Sequence, residues 1–266
     1  MTDMPVFRVA IFPLILAICA PPAHSEDGVP VCGSRFLENA TALAAIDGHS
    51  FRLQDGREVR LAGIETPTNG PAKVALERLI AGRPIQLVQA DTAVDRYGRT
   101  VAYAFISQSG SPHLVQQEMI AEGWAAAGAS LGEKGCAAAL LAAEESARGA
   151  RLGLWADPAF QIRPAEDGTG LLARRGRFTL ASGKVLSVHE SGGTIYVNFG
   201  KARSGNLTVT ISRRNLRRLA ATGIDTEKLA GHQVRVRGWI ENRGGPQIEV
   251  AHPEQIEIVD PNRPKQ

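Results

Sequence analysis

The sequence predicts a mixed α+β chain, mainly β, in which two small five-stranded β-barrels follow one another. Three observations carry this: short runs of alternating apolar residues bounded by turn residues, helix-period segments confined to a few places, and a Pro- and Gly-containing stretch that separates two such sets. A chain of 266 residues with 44% hydrophobic and 21% charged residues is long enough for two domains and has a globular composition.

Residues 1–25 have the layout of a signal peptide: Arg8, an apolar run from Val9 through Ala20 broken by Pro13, then Ala23-His24-Ser25 ahead of Glu26-Asp27. The run is too short to span a bilayer, which needs about 20 residues, and no later segment could cross one. The expectation is an exported protein, periplasmic or secreted. Cleavage near Ser25 removes Cys19 and leaves Cys32 and Cys136, enough for one disulfide in an oxidising compartment.

Within the predicted first domain, 26–158, alternation in Leu43 to Ile46, Phe51 to Leu53 and Val59 to Ile64 predicts three strands, with Asp55-Gly56 as a hairpin turn. Val74, Leu76, Leu79 and Ile80 predict a helix over 71–81, stopped by Gly82. Ile85 to Val88 and Val101 to Ile106 read as strands, and helices are expected over 112–122 and 136–151, the last closing at Gly153-Leu154-Trp155. Five strands with a helix at the crossover fit a partly open barrel of the oligonucleotide/oligosaccharide-binding kind.

Pro164, Gly168 and Gly170 mark 159–172 as a linker. The second domain, 173–260, has strand candidates at Gly176 to Val188, Thr194 to Phe199, Leu207 to Ile211, Gln233 to Trp239, Gln247 to Val250 and Ile256 to Val259, followed by a tail over 261–266. Ser212 is a plausible N-cap for a short helix carrying Arg213, Arg214, Arg217 and Arg218. This too predicts a barrel with a helix after its third strand, although no usable internal repeat accompanies it.

The net charge of +3 conceals a split. Residues 26–169 hold 13 Lys and Arg against 18 Asp and Glu, whereas 170–266 hold 16 against 8. Nucleic acid or another polyanion is therefore expected to meet the second half first.

Three blocks stand at suggestive distances: Ile46-Asp47-Gly48-His49-Ser50, Val59-Arg60-Leu61-Ala62-Gly63-Ile64-Glu65-Thr66-Pro67, and Asp95-Arg96-Tyr97-Gly98-Arg99. With the Ala143-Glu144 to Trp155 segment, their order and spacing over residues 41–158 resemble the staphylococcal-type nuclease (thermonuclease) family, here with an added C-terminal domain. The resemblance implies phosphodiester hydrolysis of DNA or RNA, with Arg60 and Arg99 clamping the phosphate through forked hydrogen bonds.

It also implies Ca2+ held at Asp47, Glu65 and Thr66, and here the pattern departs. His49 stands where the family has a second Asp, Glu65 is longer than the usual ligand, and Thr68 replaces the Glu that activates water. Imidazole suits zinc or copper better than calcium, so a transition-metal site at Asp47, His49 and Glu65 is an alternative. A threonine hydroxyl cannot accept a proton near neutral pH, which costs about 10² to 10⁴ in rate.

Tyr97 matches a family tyrosine beside the nucleotide, while Trp124 to Leu131 lacks the tyrosines found thereabouts. In the second domain the α-helical arginines, Arg213, Arg214, Arg217 and Arg218, join Arg235, Arg237 and Arg243 in a basic surface with Tyr196, Phe199 and Trp239 as stacking candidates. His189, His232 and His252 show no ligand spacing. Two readings stay open: a weakly active exported nuclease with a remodelled metal site, and an inactive nuclease-fold module that binds nucleic acid or another envelope polyanion. A monomer is expected in either case.

Overall fold

The computed structural model describes residues 32–33, 35–67, 70–201 and 205–259. The signal-peptide segment, Thr68 and the C-terminal tail lie outside the described residues.

In chain order the first half forms β1 (Arg35–Ala45), β2 (Ser50–Leu53), β3 (Glu58–Leu61), β4 (Ile64–Glu65), α1 (Pro71–Ile80), β5 (Pro84–Val94), β6 (Thr100–Gln108), β7 (Ser111–Leu114), α2 (Val115–Ala121), β8 (Ala126–Ala127) and α3 (Lys134–Gly149). Alternation decides which faces are buried: in β2, Phe51 and Leu53 enter the core while Arg52 stays out. Strands pair in the order β3-β2-β1-β5-β6, and β3 closes the barrel by running parallel to β6. The fold is the mixed α+β class that the sequence predicts, with a closed five-stranded barrel.

One element differs in kind. The helix expected from residue 112 starts only at Val115, because Ser109 and Gly110 take positive φ and turn the chain into a β6–β7 hairpin that places Pro112 opposite Ser107. At a strand edge Pro loses no ladder bond, so the turn overrides the helical period. Cys32 and Cys136 are bonded, their Cα atoms 4.8 Å apart, which ties the segment before β1 to the first turn of α3.

After 3-10 turns at Gly153–Ala156 and Pro158–Phe160 come β9 (Arg163–Pro164) and α4 (Gly168–Leu172), inside the stretch read from sequence as a linker. Ala165 and Leu171 there are buried in the second core, and β9 pairs with the next strand. That domain continues as β10 (Phe178–Lys184), β11 (Ser187–Ser191), β12 (Thr194–Asn198), β13 (Thr208–Ser212), α5 (Arg213–Ala221), β14 (Gln233–Trp239), β15 (Glu241–Asn242), β16 (Pro246–Glu249) and β17 (Ile256–Ile258).

Its pairings repeat the first barrel's scheme. Strands β11, β12 and β13 form a meander, β13 runs parallel to β16, and β10 pairs with β14, which leads through Ile240 into the β15–β16 pair. A helix again follows the third strand. Ser212 occupies the N-cap of α5, but its side chain makes no capping bond.

A third, smaller core joins the halves: Ala126, Ala147, Leu154 and Trp155 from the first pack on Leu180 of β10. Beside it Arg237 of β14, 1% exposed, reaches across to Glu144 of α3, also 1% exposed, through bonds of 2.9 and 3.2 Å, and donates to the Ala127 carbonyl at 3.1 Å.

Candidate active site

The turn between β1 and β2 brings Asp47 and His49 to one end of the barrel. Gly48 is needed there: a Cβ on it would sit 2.7 Å from both Thr66 Oγ1 and Ala72 Cβ. The Asp47 carboxylate accepts from the His49 backbone N–H at 2.9 Å and lies 3.3 Å from His49 Nδ1. The same ring nitrogen lies 3.1 Å from Thr66 Oγ1. Thus Asp47, His49 and Thr66 meet, although 19 positions separate the ends of the set.

Strand register brings in the arginines. Ser50 pairs with Arg60 across β2–β3, and Arg60 pairs with Val101 across β3–β6. Arg99 stands at the end of a turn that closes when Gly98 donates to the Asp95 carbonyl, Gly98 having a φ of 81°. The Asp95 carboxylate organises this turn: it accepts from the Tyr97 and Arg99 N–H groups at 2.9 and 3.0 Å and from Arg99 Nε at 2.8 Å. Arg99 Nη1 then donates to Ser50 Oγ at 3.0 Å. Arg60 and Arg99 therefore both flank Ser50, one across the β2–β3 pair and the other at its hydroxyl.

Asp95 and Ser50 are positioning residues that the sequence reading quoted without assigning a role. An Asp that opens a Gly-containing turn is the signal for the first. No signal marks Ser50, whose partner lies 49 positions away.

Burial drives the His49 imidazole below its usual value of 6.5, and Arg60 and Arg99 push the same way against Asp47. The ring is therefore neutral at pH 7. Burial raises the Glu65 carboxyl, opposed by Arg60, whose Nη2 lies 3.4 Å from Glu65 Oε1. At Asp95, burial pushes upward, but the bonds from Arg99 and the Tyr97 N–H prevail and hold the carboxyl below its usual range.

A calcium ion does not fit this donor set. It requires six to eight hard oxygens, roughly, whereas Asp47 is engaged with His49, Glu65 faces Arg60, and an imidazole stands among them. Among the described residues no group of three or more His, Cys, Asp and Glu side chains is arranged to hold a metal ion: Asp47 and His49 lie together, while Glu65 faces Arg60.

Tyr97 is exposed and lies beneath two guanidiniums, Arg96 at 4.7 Å and Arg99 at 5.3 Å from the ring centre. Four of the second domain's arginines lie on α5. Arg213 pairs with Glu190 at 2.9 Å, Arg218 donates to the Ala251 carbonyl at 3.4 Å, and Arg214 and Arg217 are exposed without an ion pair among the described residues. Arg237 is no surface residue, since it is spent on Glu144, and Phe199 is buried in the second core. Tyr196 stacks on His189 with ring centres 5.2 Å apart.

Two cavities meet at Glu65. One, of about 230 Å³, is lined by Arg60, Glu65, Asp91, Asp95 and Ser130 among others. The other, of about 380 Å³, runs between the domains from Glu65, Thr66 and Pro67 to Phe178 and Trp239.

Residues 58–157 match the family model described as staphylococcal nuclease homologue. That match covers Arg60, Glu65, Thr66, Asp95 and Arg99 and ends two residues after Trp155. A search of curated proteins finds no match.

Proposed function

We propose, from the premise that residues 58–157 belong with the staphylococcal nuclease homologues, that this protein is an exported, monomeric phosphodiesterase acting weakly on nucleic acid. The observation that carries the reading is that Arg60 and Arg99 both flank Ser50, the first as its partner across the β2–β3 pair and the second through a bond to its hydroxyl. Two guanidiniums bind a phosphodiester and stabilise the charge that grows on its oxygens as a nucleophile adds. Arg60 gives only one of its nitrogens to Glu65, so donors remain for the phosphate.

His49 takes the part of the missing general base. It is neutral at pH 7, and the nearby Asp47 carboxylate both orients it and stabilises the imidazolium that forms. Water oxygen adds to phosphorus, its proton passes to His49, one P–O ester bond breaks, and the departing oxygen takes a proton from solvent. Nothing in this sequence of events calls on a metal, in keeping with the poor fit of calcium to the donor set.

The test is cleavage of single-stranded DNA and RNA by the purified protein, in chelator and in a panel of calcium, magnesium, manganese and zinc. Cleavage that survives chelation is expected, with Arg60→Ala and Arg99→Ala each lowering kcat/KM by about 10² to 10³. No cleavage under any condition would overturn the reading. Thr68, in place of a carboxylate base, favours the second reading, a module that binds polynucleotide without cutting it. Binding with steep salt dependence and no product is its signature.

A further inference from the structure

The interdomain cavity has the composition of a subsite rather than of a packing defect. Trp155 and Phe160 line it from the first domain's end, Phe178 and Trp239 from the second barrel, and Arg174 and Arg177 stand along it. Trp239 is half exposed and meets Phe178 edge-on with ring centres 6.1 Å apart. Trp155 is 4% exposed, and its indole N–H has no acceptor among the described residues.

Apart from Glu65 at one end, the charged side chains that line the groove are arginines. Arg174 donates to Thr179 Oγ1 at 3.0 Å and to the Ala159 carbonyl at 2.9 Å, and Arg163 donates to the Pro158 and Ala159 carbonyls. No carboxylate pairs with Arg163, Arg174 or Arg177 among the described residues. The burial of Arg174 and its proximity to Arg163 and Arg177 all act against its positive charge, so an anion arriving there relieves repulsion. Glu65 lines both this groove and the cavity beside Arg60, so the two are neighbours.

We infer that the groove holds unpaired nucleobases of a single polynucleotide strand, with Arg174 and Arg177 on its phosphates, so that the strand runs from the Arg60–Arg99 end onto the second domain. A volume of about 380 Å³ lies within the range of ligand pockets, roughly 300–1,000 Å³. Base faces are free to stack on aromatic side chains only in an unpaired strand, so a duplex is not the occupant. The inference rests on reading Arg60 and Arg99 as a phosphate site, and it adds aromatic surface to the exposed Tyr97 of the first domain.

The experiment uses the full protein and fluorescently labelled oligothymidine, an equal-length duplex, and an abasic strand of the same length. Binding is followed by anisotropy, and cleavage is scored on the same samples. Trp239→Ala and Arg177→Ala alter exposed side chains and preserve the fold. Each is expected to raise the Kd for oligothymidine about tenfold. Trp239→Ala leaves the abasic strand unaffected, since it removes stacking alone, and Trp239→Phe restores most of the affinity. An unchanged Kd in both variants overturns the proposal, as does an equal loss toward the duplex. Loss of cleavage in Arg60→Ala with Trp239-dependent binding intact supports both readings. Trp239-dependent binding without cleavage by any form of the protein defeats hydrolysis and leaves the groove standing.

Discussion

Replacing Arg237 by Ala strips a buried carboxylate of its counter-ion. The guanidinium bonds Glu144 at 2.9 and 3.2 Å, the Ala127 carbonyl at 3.1 Å and Glu257 at 2.5 Å. Once it is gone, Glu144 keeps the Ala127 N–H at 2.8 Å and a longer contact to Arg148 at 3.4 Å. Breaking a buried pair costs about 3–5 kcal/mol, and the two surviving partners place this site near the lower figure, about 3 kcal/mol. With a urea slope of about 2–3 kcal/mol per molar, the unfolding midpoint is expected to fall by about 1 M. Far-UV circular dichroism and tryptophan fluorescence report the two transitions. The double variant Glu144→Leu with Arg237→Met removes both charges and keeps the volume but leaves the Ala127 N–H and C=O without these partners, so it is expected to recover part of the loss. A double variant no more stable than Arg237→Ala, or a single variant with an unmoved midpoint, would refute the reasoning.

Two further predictions concern the first domain. Because His49 must be neutral to take a proton and its folded-state value lies below 6.5, kcat/KM is expected to hold down to about pH 6.5 and to fall with unit slope at lower pH, a limb that His49→Asn abolishes along with most of the rate. The unfolded imidazole binds its proton first as pH drops, so this group's contribution to stability is complete above pH 6.5 and is lost between that value and the folded one. The Cys32–Cys136 bond closes a loop spanning 104 positions, for which chain entropy predicts about 4–5 kcal/mol. Cys32→Ser with Cys136→Ser is therefore expected to lower Tm by about 10 °C, and dithiothreitol to lower the parent by the same amount; a melt unaffected by reductant would count against the bond.

How far the sequence carries can be judged residue by residue. Strands such as Phe51 to Leu53 and Gln233 to Trp239 are legible because a period of two is local. Pro112 was misread because a helical period over 112–122 competes with a Ser109-Gly110 turn that only the paired strand stabilises. Arg237 was read as surface for a sound reason, since it alternates with Val234 and Val236 and so points away from its own barrel's core. What lies on that side is Glu144, 93 positions earlier in an alanine-rich helix, and no local pattern announces the pairing. The groove is invisible for the same reason, its walls coming from five separated stretches of chain.

The anchor and the groove are two ends of one sheet face. In the β10–β14 ladder Leu180 stands opposite Arg237 and Phe178 opposite Trp239, so these four side chains share a face and differ only in depth. The inner pair is buried against Ala126, Trp155 and Glu144, whereas the outer pair emerges at the rim. A rigid inner contact fixes where Trp239 stands relative to Glu65, because a strand transmits position along its length with little play. An apolar interface of that small size would let the barrels slide. A buried arginine bonded to a carboxylate and a backbone carbonyl demands one geometry, since any displacement leaves a charge without a partner. Arg237→Ala is therefore expected to weaken oligothymidine binding as well as folding, although Arg237 does not line the groove, and the volume-conserving double variant is expected to separate the effects: it regains some stability without regaining the fixed angle, so an anisotropy titration is expected to give an affinity below the parent's.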